Sequence, residues 1–267
     1  MVSPYAHRQE VVIATPTFYR NVEDPRYRLA LKTIEAAQTA QYPICVVDGS
    51  PDPKIKAEFR DRGAVVYPEV TRGLGAVKRY SFYHAVSIAL SRHRTIVVHI
   101  EPEKHDMIRH IPLLVEQILL GEADVIVATR GDGSWLSYPE FQVQTEREMN
   151  AAFRQYVGID VDIAVGPGAF RIDTAGYFFV DGNYTSTGIA DTYAQHYGVI
   201  AAHAHDLRIA ASVPLDFIYP AEQRAQEEEE IAAGGPIKQK RLDQLASLSA
   251  AYEKLARHFR LPRNPSA

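Results

Sequence analysis

Residues 95–130 have the sequence TIVVHIEPEKHDMIRHIPLLVEQILLGEADVIVATR, which contains one complete strand–helix–strand unit. Apolar, β-branched runs at residues 95–98 and 124–128 are typical of buried parallel strands. Between these runs, apolar residues recur at helical spacing from position 108 to position 119, and this spacing predicts a crossover helix. The unit therefore predicts an α/β fold with a parallel sheet.

Two glutamates, Glu101 and Glu103, follow the first strand of this unit. Residues i and i+2 leave a strand on the same face, so the two carboxylates are expected to point together. Open α/β sheets bind their ligands at the carboxyl ends of their strands. Because nearby carboxylates repel each other, they usually hold a divalent cation or share a proton. The pair therefore predicts a ligand site.

Length, charge and cysteine content exclude several classes of protein. A chain of 267 residues fits one large α/β domain, or one domain with an appendage. The formal net charge of -4 predicts no general surface for nucleic acid. The single cysteine, Cys45, excludes an intramolecular disulfide framework and a cysteine-based zinc site. With no apolar run long enough to span a bilayer and no signal-peptide pattern, the sequence predicts a soluble, cytoplasmic protein.

The part of the chain before residue 95 alternates short apolar runs with helical patterns. Their order is β-α-β-α-β, which is typical of a parallel sheet with right-handed crossovers. The first run, residues 11–15, is expected to end as a strand at Pro16. The second run, residues 44–47, is followed by a turn that begins at Asp48.

Residues 72–79, RGLGAVKR, combine two glycines with three basic side chains at the start of a predicted helix. Glycines at a helix N-terminus let backbone N–H groups approach a phosphate, and the helix dipole favours negative charge there. The pattern is neither a dinucleotide-binding fingerprint nor a Walker A loop. Beside the acidic pair, it predicts a crevice with cations for a diphosphate and carboxylates for its metal.

The pattern is less regular after residue 130. Residues 131–135 are expected to form a loop, and residues 163–171 contain too many glycines for a plain helix or a central strand. Residues 182–188 form a polar segment of the kind that can act as a lid. In the last part of the chain, apolar residues between positions 242 and 259 form one face of a predicted helix. This face is expected to pack on its own domain, and a homodimer through the same helix is the alternative.

Together these motifs resemble those of the GT-A nucleotide-diphospho-sugar transferases. Within that fold, the chain is most similar to glycosyltransferase family two, near the dolichyl-phosphate mannose synthase type. The matching segments are residues 12–18 (VIATPTF), 46–52 (VVDGSPD), 73–78 (GLGAVK), 101–103 (EPE), 123–130 (ADVIVATR), 166–171 (GPGAFR) and 189–191 (IAD). In the family, these positions carry the first strand, the Val-Asp-Asp-Gly-Ser-x-Asp turn, the Gly-x-Gly-x-Ala-Arg helix start, the Asp-x-Asp motif, a later strand, the acceptor region and the catalytic base.

The resemblance implies an α/β fold of the GT-A type, with a Rossmann-like, mostly parallel sheet, helices on both faces and a C-terminal helical extension. It places a GT-A glycosyltransferase-like domain at residues 1–220. The donor half of this domain would span about residues 10–130, and the acceptor half about residues 131–220. The helical extension would span residues 221–267.

The resemblance also implies a metal-dependent, inverting transfer of a sugar from a nucleotide-diphosphate sugar to an acceptor. The residues implied to bind the donor nucleotide are Thr15, Pro16, Thr17, Asp48, Gly75, Lys78 and Glu101. Glu103 and Glu101 would hold Mg²⁺ or Mn²⁺, and Asp191 would be the catalytic base. Because the sequence has no transmembrane segment, a soluble acceptor is favoured, and neither the acceptor nor the sugar is identified by the sequence.

Several positions depart from the family pattern and leave other functions open. Glutamate replaces aspartate at both ends of the acidic motif, Val47 stands where the family has a second aspartate, and Ala190 precedes the implied base. One alternative is a catalytically inactive GT-A domain that binds a nucleotide or a partner. A less favoured one is a sugar nucleotidyltransferase, whose glycine-rich loop after the first strand is replaced here by residues 16–20, PTFYR. His203 and His205 are alternative late metal ligands.

Overall fold

In a computed structural model of the protein, residues 6–70, 73–179 and 194–262 are described. Their strands are β1 (Val11–Thr17), β2 (Ile44–Asp48), β3 (Val65–Pro68), β4 (Ile96–His99), β5 (Val125–Arg130), β6 (Gly168–Arg171) and β7 (Ile209–Leu215). These strands form one seven-stranded sheet in the order β3-β2-β1-β4-β6-β5-β7. All neighbouring strands are parallel except at β6, which is antiparallel to β4 and β5. The predicted α/β fold with a mostly parallel sheet is confirmed.

Helices connect and cover the strands. They are α1 (Ala6–Glu10), α2 (Pro25–Thr39), α3 (Pro53–Asp61), α4 (Leu74–Ser91), α5 (Ile111–Leu119), α6 (Asp132–Ser137), α7 (Glu140–Val157), α8 (Gly176–Phe179), α9 (Ala194–Ala204), α10 (Ala221–Ala232) and α11 (Ile237–His258). Short 3-10 turns lie at His105–His110, Ile163–Val165 and Ile172–Thr174. Every residue of β2 is buried, and because successive side chains point to opposite faces, both faces of the sheet are covered there.

Local sequence explains several of the boundaries. The side chain of Asp24 accepts a hydrogen bond from the backbone N–H of Arg26, and Pro25 occupies the first position of α2. Asp52 and Pro53 begin α3 in the same way. The aspartate side chain accepts a hydrogen bond from a backbone N–H group that has no partner within the helix. Proline is tolerated at the first helical position because the N–H group that it lacks would have no helical partner there. Residues 131–135, predicted as a loop, instead run into the short helix α6.

Strand β1 continues through Pro16 to Thr17, so the prediction that it ends at Pro16 is wrong. The N–H of Ile13 donates to Pro43 on the β2 side, and alternation along a strand therefore turns the nitrogen of Pro16 to the β4 side. The pairing of β1 with β4 ends at Ala14 and His99. Pro16 consequently removes no hydrogen bond from the sheet, which is the condition under which a strand tolerates proline.

Strand β6 lies between β4 and β5, so the prediction that residues 163–171 contain no central strand is also wrong. A Cβ atom at Gly168 would lie 2.8 Å from the carbonyl oxygen of Ile126 and 2.8 Å from Cε1 of His99. The glycine is thus required by the close approach of a neighbouring strand and side chain. Close packing, and not weak strand propensity, explains the glycine content of this segment.

The apolar face of the C-terminal helix α11 packs within the chain, as expected. Leu248, Tyr252 and Leu255 are buried, and the Tyr252 ring meets Phe153 of α7 edge-on with 5.0 Å between ring centroids. Leu242, earlier on the same helix, keeps 39% of its surface exposed, and a homodimer through α11 stays a prediction. No helix in the described part of the chain combines the length and the apolar character that a bilayer crossing requires.

Candidate functional site

Two adjoining cavities open at the carboxyl ends of β1 and β4. The first, which we call the strand-end cavity, has a volume of about 330 Å³, and its lining includes Pro16, Phe18, Phe82 and Glu103. The second, which we call the glutamine cavity, has a volume of about 190 Å³. The glutamine cavity is named for Gln142, Gln195, Gln223 and Gln244, which line it. The two cavities share four lining residues, namely Lys78, Glu101, Gly166 and Gln195. A ligand in one cavity would therefore lie next to a ligand in the other.

Glu101 stands at the boundary between the two cavities and is ion-paired. Its Oε2 lies 2.8 Å from Nζ of Lys104, and the same ammonium donates to the carbonyl oxygen of Val165 at 2.7 Å. Burial alone would raise the pKa of Glu101, but the charges of Lys104 and Lys78 outweigh that effect and hold this pKa below its ordinary value. Glu101 is therefore a carboxylate at neutral pH.

Glu103 lies in the strand-end cavity and has a different environment. Burial, followed by repulsion from Glu101, raises the pKa of Glu103 to about 7. Its Oε1 accepts a hydrogen bond from the hydroxyl of Tyr19 at 3.3 Å. Among the described residues, no lysine or arginine forms an ion pair with this carboxyl group. The charge of Arg26, which lines the same cavity, acts against this rise in the pKa of Glu103, but within the described part of the chain Glu103 lacks the direct ion pair that Glu101 has.

The donor set fits a divalent cation that is shared with a ligand. Within the described ranges, no group of three or more His, Cys, Asp or Glu side chains could hold an ion alone. Mg²⁺ and Mn²⁺, however, commonly bind through one or two carboxylates together with phosphate oxygens of the substrate. Glu103, with Glu101 beside it, provides such a pair. His203 and His205 do not join it, because eight residues along α9 separate His203 from Gln195, a rise of about 12 Å.

Lys78 faces the carboxylates from the first turns of α4. Its Nζ donates a hydrogen bond to Oε1 of Gln195 at 3.0 Å. Burial lowers the pKa of Lys78 to about 8, while the charge of Glu101 acts in the opposite direction. The helix begins after Gly73, whose φ of 112° favours glycine, and Gly75 is buried in its first turn. The predicted neighbourhood of cation, helix start and acidic pair is therefore present.

The other predicted nucleotide contacts lie at the ends of β1 and β2. Pro16 lines the strand-end cavity, whereas Thr15 is buried with no hydrogen-bond partner for its hydroxyl among the described residues. Thr17 donates from its hydroxyl to Asp48 at 2.8 Å. Asp48 is fully buried, and Oδ2 forms a 2.9 Å ion pair with Lys56. Asp48 thus stabilises the turn, and its contact with a nucleotide stays a prediction.

Asp191 and the polar segment at residues 182–188 lie outside the described residues, as does Arg72. The role of Asp191 as a base therefore stays a prediction. The structure adds Lys104 and Gln195, which the sequence did not indicate, and it places Gly166 on the lining of both cavities. Gly166 has a φ of 90°, and a Cβ there would lie 2.8 Å from Oε1 of Glu101. Gly166 begins the segment that resembles the acceptor region of the family, whereas no sequence pattern indicates Lys104 or Gln195.

His196 gives this region a pH-dependent stability. Burial, and then the charges of Lys78 and His99, lower the pKa of His196 to about 3, and its Nδ1 lies 2.7 Å from the hydroxyl of Tyr252. An unfolded histidine titrates near 6.5, so the unfolded state binds more protons below that pH and stability is lost as the pH falls from about 6.5 toward 3.

The expected result is that His196 contributes about 2 kcal/mol to the loss of unfolding free energy between pH 7.5 and pH 5. Urea denaturation at the two pH values measures that loss. In His196→Gln the loss should be smaller by about this amount, whereas the exposed control His258→Gln should behave like the unmodified protein. An unchanged loss in His196→Gln would contradict the assignment.

Solved structures with the same architecture identify the fold. The chain is similar to glucosyl-3-phosphoglycerate synthase from Mycobacterium tuberculosis in complex with Mn²⁺, UDP-glucose and phosphoglyceric acid, with a TM-score of 0.54 and 16% identity over 98% of this chain and 85% of that chain. For the same enzyme with phosphoglyceric acid, the TM-score is 0.53 and the identity 16%, over 98% and 84% of the two chains. The chain has the GT-A fold.

The fold predicted from the motifs is therefore confirmed. At this level of identity the likeness concerns the fold alone. No protein-family model matches the sequence, and no curated protein matches it.

Proposed function

We propose that this GT-A chain is a glycosyltransferase that moves a sugar from a nucleotide-diphosphate sugar to an acceptor. The observation that carries the proposal is the strand-end cavity, in which Lys78 and the carboxylates of Glu101 and Glu103 line one space. A departing nucleoside diphosphate develops negative charge, and a fixed cation lowers the energy of that charge. Such a cavity at the carboxyl edge of a parallel sheet suits this leaving group.

The donor would lie along the end of β1. Phe18 lines the cavity and keeps 56% of its surface exposed, so its ring is available to contact a nucleoside base. The diphosphate would lie between Lys78 and the start of α4 near Gly75, where backbone N–H groups and the helix dipole favour an anion. Glu103, with Glu101, would hold Mg²⁺ or Mn²⁺ against the diphosphate, where the ion supplies further neutralisation of the leaving group.

Two known structures support this arrangement by analogy. The glucosyl-3-phosphoglycerate synthase complexes contain Mn²⁺ together with UDP or UDP-glucose. Under this proposal, an acceptor hydroxyl displaces the diphosphate with inversion, and Asp191 removes the hydroxyl proton as a general base. The protein would work on a soluble acceptor. A metal-dependent, inverting mechanism and the role of Asp191 are parts of the proposal.

One observation favours a second candidate function. The 2.8 Å ion pair between Glu101 and Lys104 satisfies one of the two carboxylates without a metal. A GT-A domain whose acidic pair no longer holds an ion would bind a nucleotide without transferring sugar. Time-dependent release of nucleoside diphosphate from a sugar nucleotide separates the two functions, because only the transferase catalyses it.

The experiment that tests the proposal is thermal unfolding with UDP, GDP, CDP or ADP, each with and without Mn²⁺. A ligand that binds only the folded state at 100 times its Kd adds about 2.7 kcal/mol of stability. For a chain of this size, that corresponds to a rise in Tm of roughly 5–10 °C. We expect one nucleotide to give such a shift, and we expect part of it to require Mn²⁺.

Glu103→Gln is expected to remove the Mn²⁺-dependent part of the shift, because a neutral amide binds the ion weakly. Glu116→Gln, an exposed position on α5, is the matched control and should keep it. A shift that ignores Mn²⁺ would show that the acidic pair holds no ion. If none of the four nucleotides shifts the Tm, the proposed function is wrong.

A further inference from the structure

The glutamine cavity is rich in side-chain amides. Four glutamines line it, and they come from four different helices: Gln142 from α7, Gln195 from α9, Gln223 from α10 and Gln244 from α11. Each primary amide offers both hydrogen-bond donors and an acceptor oxygen. Hydroxyl groups also donate and accept, so a wall of amides matches a ligand that carries several hydroxyls.

Apart from Lys78, the charged side chains that line this cavity are paired. The lining cations are Lys78, Lys104 and Arg241, and the lining carboxylates are Glu101 and Glu146. Lys104 pairs with Glu101 at 2.8 Å. Arg241 lies 3.7 Å from Glu146. Glu146 also pairs with Arg130, which pairs with Asp162 at 2.7 Å. An anionic ligand would have to break one of these pairs or take Lys78, which the proposed donor diphosphate already uses.

Gln142 supplies a second, independent observation. Only 6% of its surface is exposed, and its Nε2 donates to Oε1 of Glu146 at 2.7 Å. Its own Oε1 is buried, without a hydrogen-bond partner among the described residues. A buried acceptor that stays unsatisfied costs about 1–3 kcal/mol. Because Gln142 lines the cavity, a ligand hydroxyl that reached this Oε1 would remove the cost.

We propose that the glutamine cavity binds the acceptor, and that the acceptor is a neutral, polyhydroxylated molecule of the sugar or polyol class. This inference rests on the proposed function. A volume of about 190 Å³ holds about six water molecules at ~30 Å³ each, which suits a small polyol or a single sugar ring. The boundary shared with the strand-end cavity places such a molecule beside the donor.

The transfer needs no reactant other than the sugar donor, the acceptor hydroxyl and a base. A lone pair on an acceptor hydroxyl forms a bond to the anomeric carbon of the donor sugar. The bond from that carbon to the diphosphate oxygen breaks, and its electron pair leaves with the diphosphate. The hydroxyl proton goes to the base, Asp191 under the proposed function. The products are a glycoside and a nucleoside diphosphate.

The solved structures that share this fold contain a small molecule of a different chemical class. The glucosyl-3-phosphoglycerate synthase structures contain phosphoglyceric acid, which is an anion. An anion of that kind needs an uncompensated cation, and in the glutamine cavity the cations other than Lys78 are paired. The neutral acceptor proposed for this chain therefore differs in charge from the phosphoglyceric acid of those structures.

The test uses the full chain with the sugar nucleotide whose base gives the thermal shift, for example UDP-glucose. Release of nucleoside diphosphate is measured with glycerol, glucose, methyl α-glucoside or 3-phosphoglycerate as acceptor, and with water alone. We expect at least one neutral probe to raise the rate tenfold or more over water and to yield a glycoside. We expect 3-phosphoglycerate to give less than a tenth of that stimulation.

Stimulation by 3-phosphoglycerate alone would overturn the inference, as would the absence of stimulation by every probe. In both cases a retained nucleotide-dependent rise in Tm would show that the failure concerns the acceptor and not the proposed donor site. Loss of that rise as well would mean that the proposed function itself fails.

A pair of variants on α11 tests the location. Gln244→Leu is expected to raise the KM for the neutral acceptor about tenfold, the effect of losing about one hydrogen bond to the ligand. Gln239→Leu makes the same change on the same helix at an exposed position that lines neither the strand-end cavity nor the glutamine cavity, and its KM should match the unmodified protein. Equal KM values in the two variants would place the acceptor elsewhere.

Discussion

Replacing Arg130 with methionine is expected to lower the free energy of unfolding by about 3–5 kcal/mol. The Arg130 side chain is fully buried at the end of β5. Its Nε and Nη2 donate to the two oxygens of Asp162, each at 2.7 Å, and its Nη1 donates to Glu146. The guanidinium also lies over the Trp135 ring, 3.5 Å from the ring centroid.

The cost arises mainly from what the variant leaves behind. Removal of one member of a buried ion-pair network leaves the remaining charges without compensation and without water. Asp162 would keep hydrogen bonds from Asn150, at 2.7 Å, and from the backbone N–H of residue 130, at 3.3 Å, but no cation. Glu146 would keep the amide of Gln142 and the more distant Arg241, at 3.7 Å. For a chain of this length, the expected fall in Tm is roughly 10 °C.

Arg154→Met is the matched control for this prediction. Arg154 also pairs with an aspartate, Asp160 at 3.5 Å, but both side chains are largely exposed, and such pairs contribute at most about 1 kcal/mol. Chemical denaturation of both variants compares them directly. If Arg130→Met is no less stable than Arg154→Met, the buried network does not stabilise the fold.

The parts of the fold that were predictable are those with local periodicity. Apolar runs and helical spacing are properties of neighbouring residues, so the sequence indicates β1 to β5 and the helices between them. The same rules failed at Pro16 and Gly168 because the deciding factor was a neighbouring strand. Pro16 was tolerated where β4 had already ended, and Gly168 was required where Ile126 came close.

The candidate site divides in the same way. Glu101, Glu103 and Lys78 follow strand ends or begin a helix, and the topology of a parallel sheet brings such positions together. The glutamines of the second cavity come from four helices, and no local pattern distinguishes them from the other glutamines of the chain. Lys104 is close in sequence to Glu101, but only the structure shows its ammonium between that carboxylate and Val165.

Lys78→Met is expected to lower the kcat of sugar transfer by about 100- to 1000-fold, the loss typical when a preorganised group that stabilises transition-state charge is removed. The thioether fills similar space but leaves the departing diphosphate without this cation. Lys78→Arg should recover part of the rate, because it restores the charge with a different hydrogen-bonding geometry. Steady-state kinetics on a sugar nucleotide measure kcat and KM separately.

A control variant and a pH profile test whether the effect belongs to the Lys78 ammonium. Lys32→Met removes an exposed lysine on α2 and should leave kcat unchanged. The pKa of Lys78 is about 8 in the free protein, so the ammonium is present below that pH and is lost above it. Nucleoside diphosphate affinity should therefore fall as the pH rises through about 8, and Lys78→Arg should abolish this fall because arginine stays charged. A kcat above one tenth of normal in Lys78→Met would mean that another group neutralises the leaving diphosphate.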